Sequence, residues 1–198
     1  MQEGTEVKQL DDNQKNPLVN VSDEDLIKFL ADGMERERIF IEILRRFQKM
    51  VYHHIRHLVL SHDDADDATQ NTFIKIWHNL EKFRGESKLR TWVYRIATNE
   101  SINLLRRKKS AIDFDEAQPE MADLLTEDIY LSGDDIALKL QRAMCFLPYK
   151  QKLVFALRYF ENLSYAEISE LTETSEGALK ATYHHAVKKL EIYLNVLR

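Results

Sequence analysis

The stretch that decides the fold is Leu163–Leu190, "LSYAEISELTETSEGALKATYHHAVKKL". Ser164 and Glu167 have the spacing of a capping box and open a short helix with Ala166, Ile168 and Leu171 on one face. The polar "TETS" turn then leads to a longer helix starting near Ser175. Its apolar stripe is Leu179, Tyr183, Ala186 and Leu190, at steps of four, three and four. A short helix, a tight turn and a longer helix make a helix-turn-helix, whose second helix conventionally enters the DNA major groove. The outward face of that helix offers Glu176, Lys180, Ala181, Thr182, His184, His185, Lys188 and Lys189. Any short amphipathic helix pair has this pattern, so more of the chain is needed to give it meaning.

Just upstream, helices are expected at roughly 134–146 and 149–160, the second with Leu153, Leu157 and Phe160 on one stripe and Pro148 near its first position. Before them lies a segment with no Lys or Arg, residues 110–135, which carries nine acids and is interrupted by Pro119 and Gly133. It reads as an acidic linker. Leu124, Leu125, Ile129, Tyr130 and Leu131 leave two readings open: a solvated spacer, or a segment that docks on a basic surface.

The acidic segment follows directly on the most basic one. From Arg84 to Lys109 the chain has eight bases against two acids, with Phe83, Trp92 and Tyr94 interleaved, although its overall formal charge is -5. Such segregation says more than the total, because each block meets its own partner. A helix from Thr91 to about Arg107 turns Trp92, Val93, Ile96, Ala97 and Leu104 inward, and opposite them lie Arg95, Asn99, Asn103 and Arg106. Arg holds phosphates and Asn can bond a base edge. The preceding loop, "FRGESKL", has Gly85 for a bend and suits unstacked bases.

Further upstream the periodicity stays helical. Phe40, Ile43, Leu44, Phe47, Met50, Val51, Ile55 and Leu58 mark a helix over Arg36–Leu60. "SDED" at Ser22–Asp25 opens a shorter one that Gly33 closes. The acids of "SHDDADDATQNTFIKIWHNL" favour a helix start, and Thr69, Phe73, Ile76, Trp77 and Leu80 share its inner face. The fold class is therefore all-α: two small helical domains joined by an acidic linker, the second containing the helix-turn-helix. The expected division is a flexible tail at 1–21, a first domain at 22–109, the linker at 110–135 and a second domain at 136–198.

Composition narrows the function. Five Gly and three Pro in 198 residues are too few turn residues for a β-rich fold. The single Cys145 excludes an intramolecular disulfide and fits the reducing cytoplasm. No apolar run approaches the roughly 18 residues of a membrane span, and no secretory leader is evident. There is no GxSxG elbow, Walker loop or GxGxxG, so no catalytic residues and no cofactor are expected. His53 and His57 stand one helical turn apart near His62, Asp63 and Asp64, yet no Glu follows as in a hydrolytic HExxH helix, and no metal is expected.

The combination resembles the extracytoplasmic-function group of bacterial RNA polymerase sigma factors. "DADDATQNTFIKIW" is similar to that family's polymerase-binding helix, "FRGESKLRTWVYRIATNESINLLRRK" to the regions that recognise and melt the minus-ten element, and Leu147–Leu190 to the domain that binds the minus-thirty-five element. The resemblance implies core-polymerase contacts at Asp66, Asp67, Gln70, Phe73 and Trp77. For the minus-ten element it implies Arg84, Ser87, Lys88 and Leu89 in the loop, with Arg95, Asn99, Asn103 and Arg106 on the helix. For the minus-thirty-five element it implies Ser175, Lys180, Ala181, Thr182, His184, His185 and Lys188. Asn71 departs from a common Glu, Ala68–Thr69 from larger aliphatics, and Thr182 and Val187 from positions that are often Arg.

The partners implied are core RNA polymerase, promoter DNA and an anti-sigma factor, in the cytoplasm. Alternatives are a stand-alone helix-turn-helix regulator and a metal-dependent helical enzyme using His53 and His57. Residues 110–135 would span roughly 30 Å as a relaxed chain and at most about 90 Å extended. A promoter spacer of roughly 17 base pairs covers nearly 60 Å, so in use the linker is expected to be stretched.

Overall fold

The computed structural model describes Leu18 and residues 21–59, 61–108 and 135–196. The described residues form eight α-helices and one 3₁₀ turn, with no strand among them. The expected linker lies outside them except for Asp135, which opens a helix, and so does the tail except for Leu18 and Val21.

The first domain comprises α1 (Asp23–Ala31), α2 (Arg36–Val59), α3 (His62–Asn79), the 3₁₀ turn Leu80–Lys82 and α4 (Leu89–Lys108). Ser22 caps α1 by accepting the Asp25 N–H at 3.1 Å, and Gly33, at φ +87°, takes the left-handed position that ends it. Helices α2, α3 and α4 pack against one another. Their buried residues include Ile39, Ile43, Phe47, Val51, Ile55 and Leu58 from α2, Phe73 and Ile76 from α3, and Val93, Tyr94 and Ala97 from α4.

The expected stripes hold with a shift: Phe40, Leu44 and Trp77 are only half-buried and line a surface cleft instead. Leu18, assigned to the tail, belongs to the core at 1% exposure, with its carbonyl accepting from Arg46 at 2.8 Å. Glu42 is wholly buried and held at 2.6 Å by both Arg45 and Arg46, while Arg46 also reaches Asp23 at 2.9 Å, tying α1 to α2. A buried carboxylate with two guanidinium partners avoids the cost of an unpaired charge.

The second domain comprises α5 (Asp135–Met144), α6 (Tyr149–Tyr159), α7 (Tyr165–Thr172) and α8 (Glu176–Val196). Pro148 is the cap residue of α6 rather than its first helical position. Around α8 pack α5, α6 and α7. Leu153, Leu157, Ile168, Leu171, Leu179, Ala186 and Leu190 supply the core, as the stripes require. The two domains also touch: α6 lies on α2, and α7 lies on α4.

Candidate nucleic-acid interface

The loop before α4 turns at Gly85, whose φ of +73° is a backbone conformation that favours glycine. Phe83 and Trp92 stack at 4.6 Å between centroids, 24° apart, and with Arg84, Ser87, Arg95, Ile96 and Asn79 they line a pocket of about 460 Å³. A half-buried aromatic floor beside guanidinium groups can hold an unstacked base. Leu89 does not share in it: it starts α4 and is 2% exposed, because the helix begins two residues earlier than its expected start and draws Leu89 into the core. Trp92 is half-buried, packed against the core and lining the pocket as well.

Along α4, Arg95, Asn99 and Arg106 line one cavity of about 680 Å³. Asn103 stands apart from it. Its amide donates to Glu100 at 3.2 Å, and Glu100 also accepts from Lys75 of α3. Asn103 and Arg106 thus face a second depression with Asn71, Lys75 and Arg107. The four residues expected on one face divide between two.

The helix-turn-helix has the expected geometry. Ser164 accepts the Glu167 N–H at 3.2 Å and Glu167 accepts the Ser164 N–H at 2.9 Å, completing the capping box. Glu173 ends α7 in the left-handed region, at φ 54°. Ser175 starts α8, its hydroxyl accepting the Ala178 N–H at 3.4 Å. Lys180, Ala181, His184, His185 and Lys188 are exposed together. Thr182 is not among them. Its hydroxyl donates to the Ala178 carbonyl at 2.8 Å, and its side chain lines the 680 Å³ cavity that also borders α4.

A third surface lies between α2 and α3, where a cleft of about 900 Å³ is lined by Phe40, Leu44, Gln48, Tyr52, Asp66, Gln70, Phe73 and Trp77 among others. Phe40 meets Trp77 edge-on at 5.2 Å, and the Arg36 guanidinium sits 3.9 Å over the Trp77 ring. Asp66 and Gln70 are exposed at the rim; Phe73, at 6% exposure, is mostly core; Asp67 is exposed outside the cleft. An apolar floor with a polar rim is the anatomy of a protein-binding groove. Of the two histidines considered for a metal, His53 is exposed and His57 stacks on Phe160 at 3.8 Å, which presses its pKa down to about 4 through burial.

Sequence reasoning missed the junction between the domains. Lys88 pairs with Glu167 at 2.9 Å, Arg90 donates to the Glu161 carbonyl at 3.1 Å, and Arg95 donates to the Glu170 carbonyl at 3.1 Å. The Tyr94 hydroxyl donates to the Glu161 carboxylate, which is 9% exposed. His54 bonds Thr98 at 2.9 Å and meets the Tyr94 ring edge-on at 5.0 Å. The Lys88 bond, with those from Ser164, holds the Glu167 carboxyl down at about 2. Burial raises the carboxyl of Glu161 above its ordinary range, partly offset by Tyr94. No periodic signal could have found the bonds across the junction, since they join residues 67 to 79 positions apart.

Two family models match the chain: Sigma-70 region 2 over residues 43–111 and Sigma-70, region 4 over residues 137–190. The RNA polymerase sigma factor SigV of Bacillus subtilis (strain 168) is 31% identical over 136 residues, which cover 69% of this chain and 79% of that protein. The ECF RNA polymerase sigma factor SigW of the same organism is 30% identical over 169 residues, 80% of this chain and 90% of that one. In fold, the chain is similar to CnrH in complex with the cytosolic domain of CnrY, at a TM-score of 0.65, 22% identity and coverage of 88% and 97%. It is also similar to the sigma factor RpoE in complex with the anti-sigma factor NepR from Bartonella quintana, at 0.63, 20%, 80% and 98%. Both regions occur in order along one chain, which sets aside the stand-alone helix-turn-helix regulator. The chain belongs to the sigma-70 family, and within it to the extracytoplasmic-function sigma factors, the alternative factors that direct RNA polymerase to promoters.

Proposed function

We propose that this sigma factor works through three separate surfaces, with no catalytic step of its own, in the cytoplasm. The domains doing so are 22–109 and 136–198, with 110–135 as the connection. Core polymerase docks on the α2–α3 cleft, where Phe73 and Trp77 form the floor and Asp66, Gln70 and the neighbouring Asp67 the rim. The minus-ten element is read at the Phe83–Trp92 pocket: Arg84, Ser87 and Arg95 surround an extruded base, while Lys88, Asn99, Asn103 and Arg106 extend the contact along α4. Leu89 supports this surface from below. The minus-thirty-five element is read by α8 through Lys180, Ala181, His184, His185 and Lys188, with Ser175 fixing the helix start and Thr182 at the margin.

The observation that carries this reading is the aromatic pocket beside an arginine-bearing helix, on the same chain as a helix-turn-helix with an exposed polar face. Duplex DNA binding by the chain alone should be weak, because phosphate neutralisation dominates such affinity and the chain is net acidic at -5. Tethering both DNA sites to polymerase raises their effective concentration. The fold relative from Bartonella quintana was solved with the anti-sigma factor NepR, and by that likeness an anti-sigma factor is a regulatory partner here.

The test is reconstitution. The purified chain, mixed with core polymerase, should form a complex that starts transcripts at promoters that core alone ignores. Asn99→Ala and Arg84→Ala should impair promoter opening in that complex while leaving core binding intact. Loss of core binding in either variant would refute the assignment of the α4 surface.

A further inference from the structure

We propose that the free chain holds itself in an inhibited conformation, with the second domain seated on the minus-ten surface and its acceptors standing in for DNA phosphates. This rests on the assignment of α4 and its loop to the minus-ten element. Three cations at the edge of that surface are already engaged, each by the second domain. Lys88 is paired with the Glu167 carboxylate at 2.9 Å, and the guanidinium groups of Arg90 and Arg95 reach the carbonyls of Glu161 and Glu170, both at 3.1 Å. Carboxylate and carbonyl oxygens accept from these donors as the phosphate oxygens of DNA would. Glu170 also forms part of the wall of the 460 Å³ pocket, so an entering nucleotide would meet a like charge there.

The contact is specific rather than a loose collapse. Tyr94 donates to the buried Glu161 carboxylate, and His57 stacks on Phe160 at 3.8 Å and 10°. Gln141 of α5 donates to the Arg56 carbonyl at the end of α2 at 3.5 Å. It is also polar enough to open, as interfaces between domains of one chain generally are.

Geometry excludes this arrangement from the promoter-bound state. With α7 lying on α4, the two DNA-reading surfaces are neighbours. Promoter elements separated by roughly 17 base pairs stand nearly 60 Å apart at 3.4 Å per pair. One rigid closed chain cannot address both. The closure is selective, because Lys180, Ala181, His184, His185 and Lys188 stay exposed while Lys88, Arg90 and Arg95 are engaged across the junction. The inhibited step is therefore minus-ten engagement.

The full-length double variant Tyr94→Phe, Glu167→Gln tests this. Glutamine serves at the third position of a capping box as glutamate does, so α7 keeps its cap while the charge that pairs with Lys88 and the Tyr94–Glu161 bond both go. Dyes on cysteines introduced as Glu37→Cys and Glu191→Cys, both exposed positions in different domains, report the spacing by energy transfer. Binding of a single-stranded oligonucleotide carrying the minus-ten sequence, followed by fluorescence anisotropy, reports access. Lower transfer together with roughly three- to tenfold tighter binding, tenfold being about 1.4 kcal/mol, is the expected result. Unchanged transfer would overturn the closed state, and an opened chain that binds the oligonucleotide no more tightly would overturn the inhibition. Failure of the α4 assignment itself would appear separately, in the holoenzyme assay with Asn99→Ala, which does not depend on the conformation of the free chain.

Discussion

Tyr94→Phe removes one oxygen atom and should open the molecule without unfolding either half. The ring is wholly buried and packs edge-on against His54 at 5.0 Å, so its apolar contacts survive in phenylalanine. The hydroxyl donates to the Glu161 carboxylate and accepts from Arg90 at 3.3 Å. Leaving a buried acceptor without its donor costs about 1–3 kcal/mol. Two features place the effect in the lower part of that range. Arg90 keeps its 3.1 Å bond to the Glu161 carbonyl, and His54 Nδ1, which has no other partner, lies 3.9 Å from the carboxylate and can close in.

A loss of about 1–2 kcal/mol changes the ratio of closed to open chain by roughly 5- to 30-fold. Native-state hydrogen exchange is the assay. Protection should fall around the α6–α7 turn, while the amides of α2 and α3 keep the protection of the parent. The pH dependence has a defined sign. Burial raises the Glu161 carboxyl, so the closed chain binds a proton more tightly than the open one. Closure through this group is favoured as pH falls and is lost as pH rises through the raised pKa, and the Tyr94→Phe penalty should shrink in acid. Uniform loss of protection across the first domain, or none anywhere, would refute the placement of this bond at a movable junction.

Other outcomes follow from the same structure. Ser164→Ala removes the hydroxyl that accepts the Glu167 N–H at 3.2 Å and should lower the stability of the second domain by about 1 kcal/mol, read from its thermal midpoint. Lys180→Ala, at an exposed position of α8, should weaken holoenzyme binding to the upstream element and reduce the salt slope of that binding by about 1. His54 and His57 are held neutral by burial, with pKa values pressed down to about 3 and about 4. Both are depressed, so their contribution is present above the unfolded value of about 6.5 and is lost as pH falls through that value toward 4, with a limiting slope of about 2.7 kcal/mol per pH unit for two protons. Denaturant titrations between pH 7 and pH 4 would show it, and His57→Phe should remove about half.

Local chemistry carried most of the fold in the sequence. The capping box at Ser164 and Glu167 and the left-handed Gly33 are decided by neighbours within a turn or two and stand where the sequence puts them, as does most of the α2 stripe. Leu89 illustrates the first limit: a loop and a helix start differ by two residues, and only packing against the core decides between them. Asn103 illustrates the second. Helical spacing aligns it with Asn99, but the Glu100 carboxylate, itself bound to Lys75 of another helix, turns its amide aside. The junction marks the third. Glu167 was legible as a cap because Ser164 is three positions away, whereas its bond to Lys88 spans 79 positions and leaves no trace in any periodicity.

The cleft between α2 and α3 shares no lining residue with the cavity between the domains. That separation has a kinetic consequence. With polymerase docking on that cleft, as proposed, it would meet the closed chain without waiting for it to open, and opening would then take place on the enzyme. Association observed by stopped flow should accordingly split into a fast phase that grows with polymerase concentration and a slower one that does not. The order of events would be written into the distance between two surfaces: capture first, exposure of the base-reading pocket second.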